Sequence, residues 1–502
     1  MRAAIAVLLT LSATAAVAQT PSANPITQPS RLEPQWQART RALFEQVVEI
    51  PTVINRGQVP RMAQLIAKEL RAAGLPARDI RIIPHEGLPG DKTVTLIARW
   101  RADRPTRKPL LILGHMDVVE AKREEWKFDP FEFREEGGYF YGRGTSDMKN
   151  GIVATTLALI KLKQSGFRPD RDIILFYTGD EETAQNGALK GSTEWRNLTD
   201  AEFGLNADGG GGSYDRVGRP IGFLLDAAEK TYQTYFFTVR NRGGHSSRPR
   251  ADNAIYELAD ALKKVQTHRF SPQLNDVTRA YFTERQRDEK GALGDAMRRW
   301  LANPNDGAAA DVIESNELEV GKTRTRCVAT MLSAGHADNA LPQTARATVN
   351  CRIMPGVEPP TVQAELQRLV GPNVEIIPDP TFIGKPTPVF PVPQQVMAAY
   401  RNAVQQLHGP AMRVIPNMTT GTTDASFFRA AGLPVYGVDG GWGISPDDER
   451  AHGLDERIPV RAAYDNVLHW ESMIRELAGS AGATPAQAPA PQPARHERGS
   501  AP

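Results

Sequence analysis

Side chains of the types that bind divalent cations stand at the ends of several apolar or glycine-rich runs in this sequence. His115 and Asp117 end the strand-like run KPLLILGHMDVV, residues 108–119. Because residues i and i+2 of a strand point to the same side, both side chains can face one pocket. The carboxylate could then fix the tautomer of a metal-binding imidazole. A His-x-Asp pair is also ordinary polarity at the start of a loop, so its meaning depends on partners further along the chain.

Three carboxylate motifs follow. Asp147 comes after the glycine-rich loop in YFYGRGTSDMKNG, where the alternative role is a helix N-cap. Asp180, Glu181 and Glu182 end the apolar run in RDIILFYTGDEE, and ligands gather outside the carboxyl ends of strands in α/β sheets. A solvated acidic loop is the alternative there. Asp208 ends FGLNAD and precedes four glycines, which allow a ligand to approach closely.

Together these motifs supply donors for a pair of divalent cations. His452, in AHGLDERIPV, adds a second imidazole, although a single loop histidine is more often surface polarity. Two imidazoles and three carboxylates suffice for two ions if one carboxylate bridges, and this mixture suits zinc. Two such ions, about 3.5–4 Å apart, can activate a shared water for hydrolysis. The predicted ligands are His115, Asp147, Glu182, Asp208 and His452.

The composition is that of an ordinary globular chain. Of its 502 residues, 40% are hydrophobic and 24% are charged, and the formal net charge is +2. This length allows a large core, divided among two or three folding units. The near-neutral charge gives no support to a nucleic acid or an anionic membrane as partner. A neutral or zwitterionic small molecule fits better.

The two ends of the chain differ from its middle. MRAAIAVLLTLSATAAVAQT has one basic residue, a short apolar stretch and Ala-Val-Ala before Gln19, which predicts a signal peptide over 1–18. No later run approaches the roughly 20 apolar residues of a membrane span, so we expect an exported protein, periplasmic or secreted. Segment 19–32 is predicted to be flexible, and the Ala/Pro-rich segment 478–502 to be a disordered tail.

The elements that position the candidate ligands follow an α/β alternation. Between residues 33 and 226, strand-like apolar runs alternate with amphipathic helical ones, which predicts a mixed, mostly parallel sheet with flanking helices. Strands are predicted at 93–100, 110–113, 173–178 and 203–207. Helices are predicted at 33–48, 61–73 and 150–164.

A second, smaller α+β unit is predicted as an insertion over 230–380, between catalytic-domain parts 33–229 and 381–477. TYQTYFFTVRNR alternates like an exposed antiparallel strand, and a helix at 252–265 and strands at 323–333 and 344–353 follow. Residues 273–311 are polar and helix-biased, and form an added lobe. The proline-rich run 378–393 returns the chain to the first domain, with a helix at 394–407 and a strand at 433–438.

The two cysteines of the sequence, Cys327 and Cys351, flank a predicted hairpin loop at 337–342. Export permits a disulfide, and a hairpin centred near Asn339 would place the two residues opposite each other. Two unpaired, half-buried thiols in neighbouring strands are the alternative.

The order and surroundings of the motifs resemble the M20 family of metallopeptidases, which includes carboxypeptidases, aminoacylases, dipeptidases and succinyl-diaminopimelate desuccinylase-like amidohydrolases. The resemblance covers residues 39–477 and rests on GHMDVV, GRGTSDMKNG, TGDEE, NADGG, GGHSSRP and AHGLDER in family order. It implies a zinc-exopeptidase-like catalytic domain with an inserted lid. His115 and Asp208 would bind one ion, Glu182 and His452 the other, and Asp147 would bridge. Cobalt or manganese could replace zinc.

The resemblance also implies catalytic roles. Asp117 would orient His115, and Glu181 would be the general base that deprotonates the metal-bridging water and later protonates the departing amine. His245, in the GGHSSRP motif of the lid, would help to stabilise the oxyanion, from the same chain or from a partner. Many members of the family pair through this domain, although the insertion 273–311 could block or replace that contact.

Substrate contacts are implied in the lid and in a later loop. Arg352 and Asn339 resemble positions that hold the substrate carboxylate or backbone. A structural ion pair and a turn role, respectively, are the alternatives. In MTTGTTDASFF, three residues of the family's substrate loop would present hydroxyl and N–H groups, while the following aspartate, Asp424, would cap a helix. These three residues are Gly421, Thr422 and Thr423.

The sequence therefore predicts an exported di-zinc peptidase or amidohydrolase that cleaves an amide bond in small peptides, of carboxypeptidase or dipeptidase type. An N-acyl-amino-acid amidohydrolase (aminoacylase) is the first alternative. A non-catalytic binding protein on the same scaffold is the second. A two-metal phosphoesterase would need further phosphate contacts, and the sequence shows no phosphate loop. The expected partners are a small peptide or N-acyl amino acid and, through the lid, a second copy of the chain.

Overall fold

The structure is a computed structural model, and it describes residues 24–382 and 384–479. The predicted signal peptide, the start of segment 19–32 and nearly all of the predicted tail lie outside the described residues. None of the described helices is long and apolar enough to cross a membrane.

The strands of the described chain are given in sequence order. They are β1 (Ile80–Glu86), β2 (Lys92–Trp100), β3 (Leu110–His115), β4 (Arg134–Glu136), β5 (Tyr139–Tyr141), β6 (Ile173–Thr178), β7 (Phe203–Tyr214), β8 (Pro220–Glu229), β9 (Thr231–Arg240), β10 (Gly244–His245), β11 (Arg326–Ala334), β12 (Ala340–Leu341), β13 (Thr344–Ile353), β14 (Val374–Pro378), β15 (Val414–Thr419), β16 (Val435–Ile444) and β17 (Arg457–Pro459).

The α-helices are numbered in the same way. They are α1 (Pro34–Val48), α2 (Val59–Ala72), α3 (Lys149–Gln164), α4 (Asn186–Ser192), α5 (Arg196–Thr199), α6 (Ala254–Thr267), α7 (Asp276–Arg285), α8 (Gly291–Ala302), α9 (Gly307–Glu314), α10 (Pro359–Val370), α11 (Gln394–His408), α12 (Ala425–Ala430) and α13 (Val460–Ala478).

The largest sheet has the strand order β1-β2-β6-β3-β7-β16-β8-β15. Strands β6, β3, β7 and β16 run parallel to one another, and β15 runs parallel to β8. The pairs β1–β2, β2–β6 and β16–β8 are antiparallel. The predicted mixed α/β sheet is thus confirmed, and the carboxyl ends of its central parallel strands open toward one edge.

Burial explains the sequences of the central strands. All residues of β3 and β6 are buried, so their continuous apolar sequences LLIL and IILFY reflect cover on both faces. Helices α3 and α13 pack against each other, and α3 is buried almost all round. The predicted helices and strands of this part are confirmed to within two residues at each end, with two exceptions. The strand predicted at 433–438 is β16, which continues to Ile444. Strand β7 continues through its glycines to Tyr214, because those residues pair with both β8 and β16.

A four-stranded antiparallel sheet, of order β11-β13-β9-β14, forms the inserted unit. It has its own core with α6 and α10, which includes Phe237, Leu258 and Leu366. The prediction that β9 is an exposed strand is wrong. It lies between two neighbouring strands and most of its side chains are buried, including polar Gln233 and Thr234.

A disulfide joins Cys327 in β11 to Cys351 in β13. The two residues are paired across the antiparallel ladder, as the predicted hairpin requires. The alternative of two unpaired thiols is wrong. The bridge ties the outermost strand of this sheet to its neighbour.

The predicted added lobe contains helices α7 to α9. These helices pack around an apolar cluster that includes Phe282, Met297 and Trp300. Ile415 of β15 belongs to the same cluster, and α7 lies against β15. Because β15 is the last strand of the large sheet, the lobe covers one side of the catalytic unit.

The described part of the N-terminal segment is held in place, contrary to the predicted flexibility of 19–32. Ser30 Oγ donates a hydrogen bond of 2.6 Å to Asp465 Oδ1 of α13. Arg461 Nη1, also of α13, donates to the Pro25 carbonyl at 3.2 Å, and the Leu32 side chain is buried. These contacts fix residues 24–32 to the last helix.

Candidate active site

The five predicted ligands come from separate elements that meet at the carboxyl edge of the large sheet. His115 ends β3, Asp147 lies just before α3, and Glu182 lies just after β6. Asp208 lies within β7, and His452 lies in the loop between β16 and β17. The parallel order of β6, β3 and β7 brings three of these positions side by side.

Asp147 stands between the two histidines. Its Oδ1 lies 3.1 Å from His115 Nε2, and its Oδ2 lies 3.2 Å from His452 Nε2. His115 Nε2 is also 3.7 Å from Asp208 Oδ1, and His452 Nε2 is 3.0 Å from Glu182 Oε1. The donors thus form two three-residue groups that share Asp147.

The charges of the cluster favour bound cations. Hydrogen bonds that the protonated imidazole donates to Asp147 and Glu182 raise the pKa of His452 to about 10. Burial opposes the protonation of His115, but the surrounding carboxylates raise its pKa well above the ordinary value. Burial raises the pKa of Asp208 to about 7. Three gathered carboxylates therefore require nearby positive charge. Divalent cations would supply it while the imidazoles bind as neutral ligands, and the nitrogen and oxygen donors fit zinc, cobalt or manganese.

Asp117 supports two functional residues through their backbone. Its Oδ1 accepts the N–H of Glu181 at 3.1 Å, and its Oδ2 accepts the N–H of Glu182 at 3.0 Å. His115 Nδ1 lies 3.0 Å from the Asp117 carbonyl oxygen and 3.5 Å from Oδ1. The backbone carbonyl of Asp117 therefore orients the imidazole, whereas its carboxylate fixes the loop that carries the predicted base.

Glu181 faces a cavity of about 430 Å³ that is also lined by Asp147, Asp208 and His452. Burial raises the pKa of its carboxyl group well above the ordinary value. Gln185 Nε2 donates a hydrogen bond of 2.8 Å to Glu181 Oε1. The sequence does not predict this contact, because the glutamine follows the motif in an irregular turn.

A buried carboxylate that the sequence did not single out holds the loop that carries Asp147, the predicted bridging ligand. Glu456 is fully buried and accepts the N–H groups of Gly144, Ser146 and Asp147 at 3.0, 2.7 and 2.9 Å. Its Oε2 also accepts Arg143 Nη1 at 2.7 Å. In the sequence, the only indication that Glu456 matters is its position in the motif AHGLDER. Nothing in that motif indicates a contact with the distant Asp147 loop.

Arg352 reaches the same cavity as the ligands. Its guanidinium stacks on the Tyr232 ring at 4.7 Å, and its Nε donates to Asn350 Oδ1 at 3.2 Å. Within the described residues, no carboxylate lies within ion-pair distance of Arg352. The alternative of a structural ion pair is therefore not found.

The threonines of the predicted substrate loop use their hydroxyl groups internally. Thr422 Oγ1 donates to the Lys230 carbonyl at 2.6 Å, and Thr423 Oγ1 donates to Glu229 Oε1 at 2.8 Å. The N–H of Thr423 also donates to Glu229. Both threonines line the cavity, whereas Gly421 lines a neighbouring one. The two hydroxyl groups thus hold the loop through their donated hydrogen bonds, and the contact of these residues with substrate stays a prediction.

The structure does not bring His245 and Asn339 to the metal ligands of the same chain. His245 pairs with Ala340 in the small sheet of β10 and β12, and Ser246 N donates to the Asn339 carbonyl at 3.0 Å. The His245 side chain is exposed, and its Nδ1 accepts a hydrogen bond of 2.8 Å from Ser247 Oγ. Neither His245 nor Asn339 lines the cavity.

Asp424 departs from its predicted role. It precedes α12, but its side chain makes no capping hydrogen bond. Instead, its carboxylate accepts a hydrogen bond from Thr178 Oγ1, at the end of β6. This contact links the substrate loop to a central strand of the large sheet.

The sequence model of peptidase family M20/M25/M40 matches residues 111–476. The chain belongs to this family. Among curated relatives, the N-fatty-acyl-amino acid synthase/hydrolase PM20D1 of Homo sapiens is 26% identical over 480 residues, which are 91% of this chain and 92% of the relative. Aminoacylase-1 of Sus scrofa is 25% identical over 447 residues, 87% of this chain and 94% of the relative.

A solved M20 structure has the same fold. The M20 family metallo-carboxypeptidase of Sulfolobus solfataricus superposes with a TM-score of 0.65 at 18% identity, over 87% of this chain and 98% of its own. The M20 chain is thus an enzyme of the metallopeptidase and amidohydrolase class. Its catalytic unit contains the large sheet, and its lid contains the four-stranded sheet.

Proposed function

We propose that this M20 enzyme is a two-metal hydrolase that cleaves the amide bond of a small peptide with a free carboxylate. The observation that carries the proposal is the position of Asp147, whose two oxygens each face a different histidine. His115 and Asp208 would hold one ion, Glu182 and His452 the other, and zinc is the proposed metal. Two such ions supply Lewis-acid activation of water and of the amide carbonyl.

The side chains of the cavity have complementary roles in this reaction. Glu181 takes a proton from the attacking water and gives it to the amide nitrogen as the C–N bond breaks. Gln185 and Asp117 keep that carboxylate in position. Arg352 binds the carboxylate of the substrate, for which its planar guanidinium offers paired donors.

An N-acyl amino acid is the second candidate substrate. It presents the same amide next to a free carboxylate, so the same residues would act on it. PM20D1 and aminoacylase-1 each align with about nine-tenths of this chain, and the activities in their names favour this candidate.

A substrate screen tests the proposal. Zinc-loaded protein is assayed on a dipeptide, an N-acyl amino acid and a phosphodiester. We expect hydrolysis of at least one amide, and loss of it in Glu181→Gln with zinc content unchanged. Glu136→Gln, an exposed carboxylate on β4, is the matched control. Activity on the phosphodiester alone, or full amide hydrolysis by Glu181→Gln, would contradict the proposal.

We further propose that the protein is exported, with its signal peptide removed after Ala18. The disulfide between Cys327 and Cys351 supports this, because such bonds persist in oxidising compartments. Amino-terminal sequencing of protein recovered outside the cytoplasm should begin at Gln19. Recovery of the intact leader from the cytoplasm alone would contradict export.

A second copy of the chain is the proposed partner of the lid. Strand β11 lies at the outer edge of its sheet, and its Met331 and Leu332 side chains are 69% and 66% exposed. Such an edge offers both unpaired backbone groups and apolar surface to another strand. His245 is exposed on the same unit and would reach the cavity of the partner.

Light scattering should give the mass of a dimer, and Met331→Glu should give that of a monomer. Mixing His245→Ala with Glu181→Gln should restore part of the activity, because one of the two sites in a mixed dimer would then be complete. A monomeric wild-type protein with full activity would contradict this assembly.

A further inference from the structure

A second, larger cavity lies beside the candidate active site. It has a volume of about 890 Å³, against about 430 Å³ for the cavity of the metal ligands. Arg352 lines both cavities, and Gly421 of the larger cavity adjoins Thr422 of the smaller one. A cavity of this size is within the range of small-molecule binding sites.

One wall of this cavity is apolar. It is formed by α6 of the lid and by the first residues of β11. Leu262 and Val265 contribute from the helix, and Val328 and Ala329 from the strand, beside Cys327 of the disulfide. Val328 is 60% exposed, so a large apolar side chain borders open space here. This wall fits an aliphatic chain.

The charges of the cavity are all of one sign. Lys230, Lys263, Arg326 and Arg352 line it, and no aspartate or glutamate of the described part of the chain does. This excess is local, because the whole chain carries 60 lysines and arginines against 58 acidic residues. An anionic group would therefore be attracted to this cavity.

The buried lysine shows that these cations affect one another. The pKa of Lys230 is lowered to about 7, chiefly by burial and also by the charges of Arg326 and Arg352, whereas the charge of Glu314 opposes this shift. Its Nζ donates to the Arg324 carbonyl at 2.6 Å. Among the described residues, Glu314 is the carboxylate within ion-pair distance of Arg326, at 3.6 Å, and it already accepts the N–H groups of Gly321 and Thr323.

We infer that this cavity binds an amphipathic carboxylate of the fatty-acid type. Its carboxylate would lie between Arg352 and Lys230, and its aliphatic chain would lie along α6. Because Arg352 also faces the metal ligands, the bound molecule competes with the carboxylate of the substrate for that guanidinium. This second effect rests on the proposed function, whereas the binding itself does not.

Calorimetric titration of the full-length protein with decanoate tests the binding, with acetate and decanol as companion probes. We expect one saturable site for decanoate and at least tenfold weaker binding of both acetate and decanol. Equal binding of acetate would show an anion site without a chain pocket. Equal binding of decanol would show a chain pocket without a charge requirement. Either result would overturn the inference.

Variants locate the site. Leu262→Trp fills the apolar wall and should weaken decanoate binding at least tenfold. Ala259→Trp, from an exposed position on the same wall, gives a second test if the first variant fails to fold. Arg326→Gln should weaken binding several-fold. Val217→Trp, in an exposed turn elsewhere, should bind like wild type. Wild-type affinity in folded Leu262→Trp or Ala259→Trp would overturn the assignment.

Kinetics separate the inference from the proposed function. With an active amide substrate, decanoate should raise KM with little change in kcat, and Ala259→Trp should remove this effect. If no amide is hydrolysed but decanoate still binds as described, the cavity assignment stands and the proposed function fails. If amides are hydrolysed and decanoate does not bind, the proposed function stands and the cavity assignment fails.

Discussion

The carboxylate of Asp117 illustrates how a residue can serve the site without binding a metal. It accepts two backbone N–H groups, and these belong to the predicted base and to a predicted ligand. Charge-assisted hydrogen bonds of this kind are stronger than neutral ones. The conformation of the Glu181–Glu182 turn thus depends on a negative charge one strand away.

Asp117→Asn should therefore impair the site more than the fold. The amide keeps one acceptor oxygen but places an N–H₂ group against the other backbone N–H. We expect zinc affinity to fall about 10- to 100-fold, as for other residues that support metal ligands. Competition with a chelator measures the affinity, and thermal unfolding in EDTA measures stability. Unchanged zinc affinity and turnover in this variant would show that Asp117 does not contribute to the site.

Gln185 is a positioning residue for Glu181 in this structure. Gln185→Leu keeps the size of the side chain but removes the donor. Misplacement of the base should lower kcat about 10- to 100-fold, with KM and zinc content unchanged. Gln46→Leu, on the exposed face of α1, is the control. A rise in KM without loss of kcat would assign Gln185 to substrate binding instead.

At the scale of elements, strands buried on both faces were the most predictable. The sequences of β3 and β6 contain continuous apolar runs, β2 is buried over most of its length, and the predicted bounds of all three lie within two residues of the observed ones. The sequence did not reveal β1 and β8. β1 is an edge strand with mixed burial and contains Pro84, and β8 follows a glycine run that reads as a turn.

The parts of the site that depend on short sequence motifs could be predicted from the sequence. The ligand types could be read from strand ends, but the contact of Glu456 with the Asp147 loop joins residues 309 positions apart. No periodicity encodes such a pairing. For the same reason the sequence does not show the internal hydrogen bonds of the Thr422 and Thr423 hydroxyl groups, because their acceptors come from another part of the chain.

The loop between β5 and α3 should depend on Glu456 for its stability. Glu456→Gln leaves Arg143 buried without its charge partner and weakens the bonds from three N–H groups. Breaking a buried ion pair costs about 3–5 kcal/mol, and we expect a loss of unfolding free energy of this size. Urea unfolding measures it. Glu136→Gln, in an exposed pair with Arg134, should change stability by less than about 0.5 kcal/mol.

A loss below about 1 kcal/mol in Glu456→Gln would show that water or another group replaces the carboxylate. Zinc content should fall in the same variant, since Asp147 is held by this contact. Full zinc content with reduced stability would show that metal binding does not depend on the contact between Glu456 and this loop.

On the scale of the whole molecule, a partly buried histidine, His408, and a buried one, His469, link stability to pH. Burial lowers the pKa of His408 to about 3 and that of His469 to about 4. In the unfolded chain both have a pKa near 6.5, so below that pH the unfolded state binds more protons than the folded state. Their contribution to stability is complete above about pH 6.5 and decreases as the pH falls.

The unfolding free energy should thus decrease between about pH 6.5 and 4, by up to about 1.4 kcal/mol per pH unit for each histidine. Urea unfolding at a series of pH values measures this slope, with EDTA present so that metal release does not contribute. His469→Gln keeps a donor for the Val438 carbonyl and should have a smaller slope. An identical slope would show that His469 does not titrate on unfolding.

The candidate ligands are widely separated along the chain, and this separation fixes the order of events in biosynthesis. Glu182 and His452 face each other across 270 residues of sequence. A ribosome that has not yet released the last tenth of the chain therefore holds a polypeptide that lacks His452, one of the three residues of its donor group. The full set of predicted ligands therefore assembles only after His452 has left the ribosome. For a chain exported in the unfolded state, the metal supply of the destination compartment would decide which cations the proposed site binds.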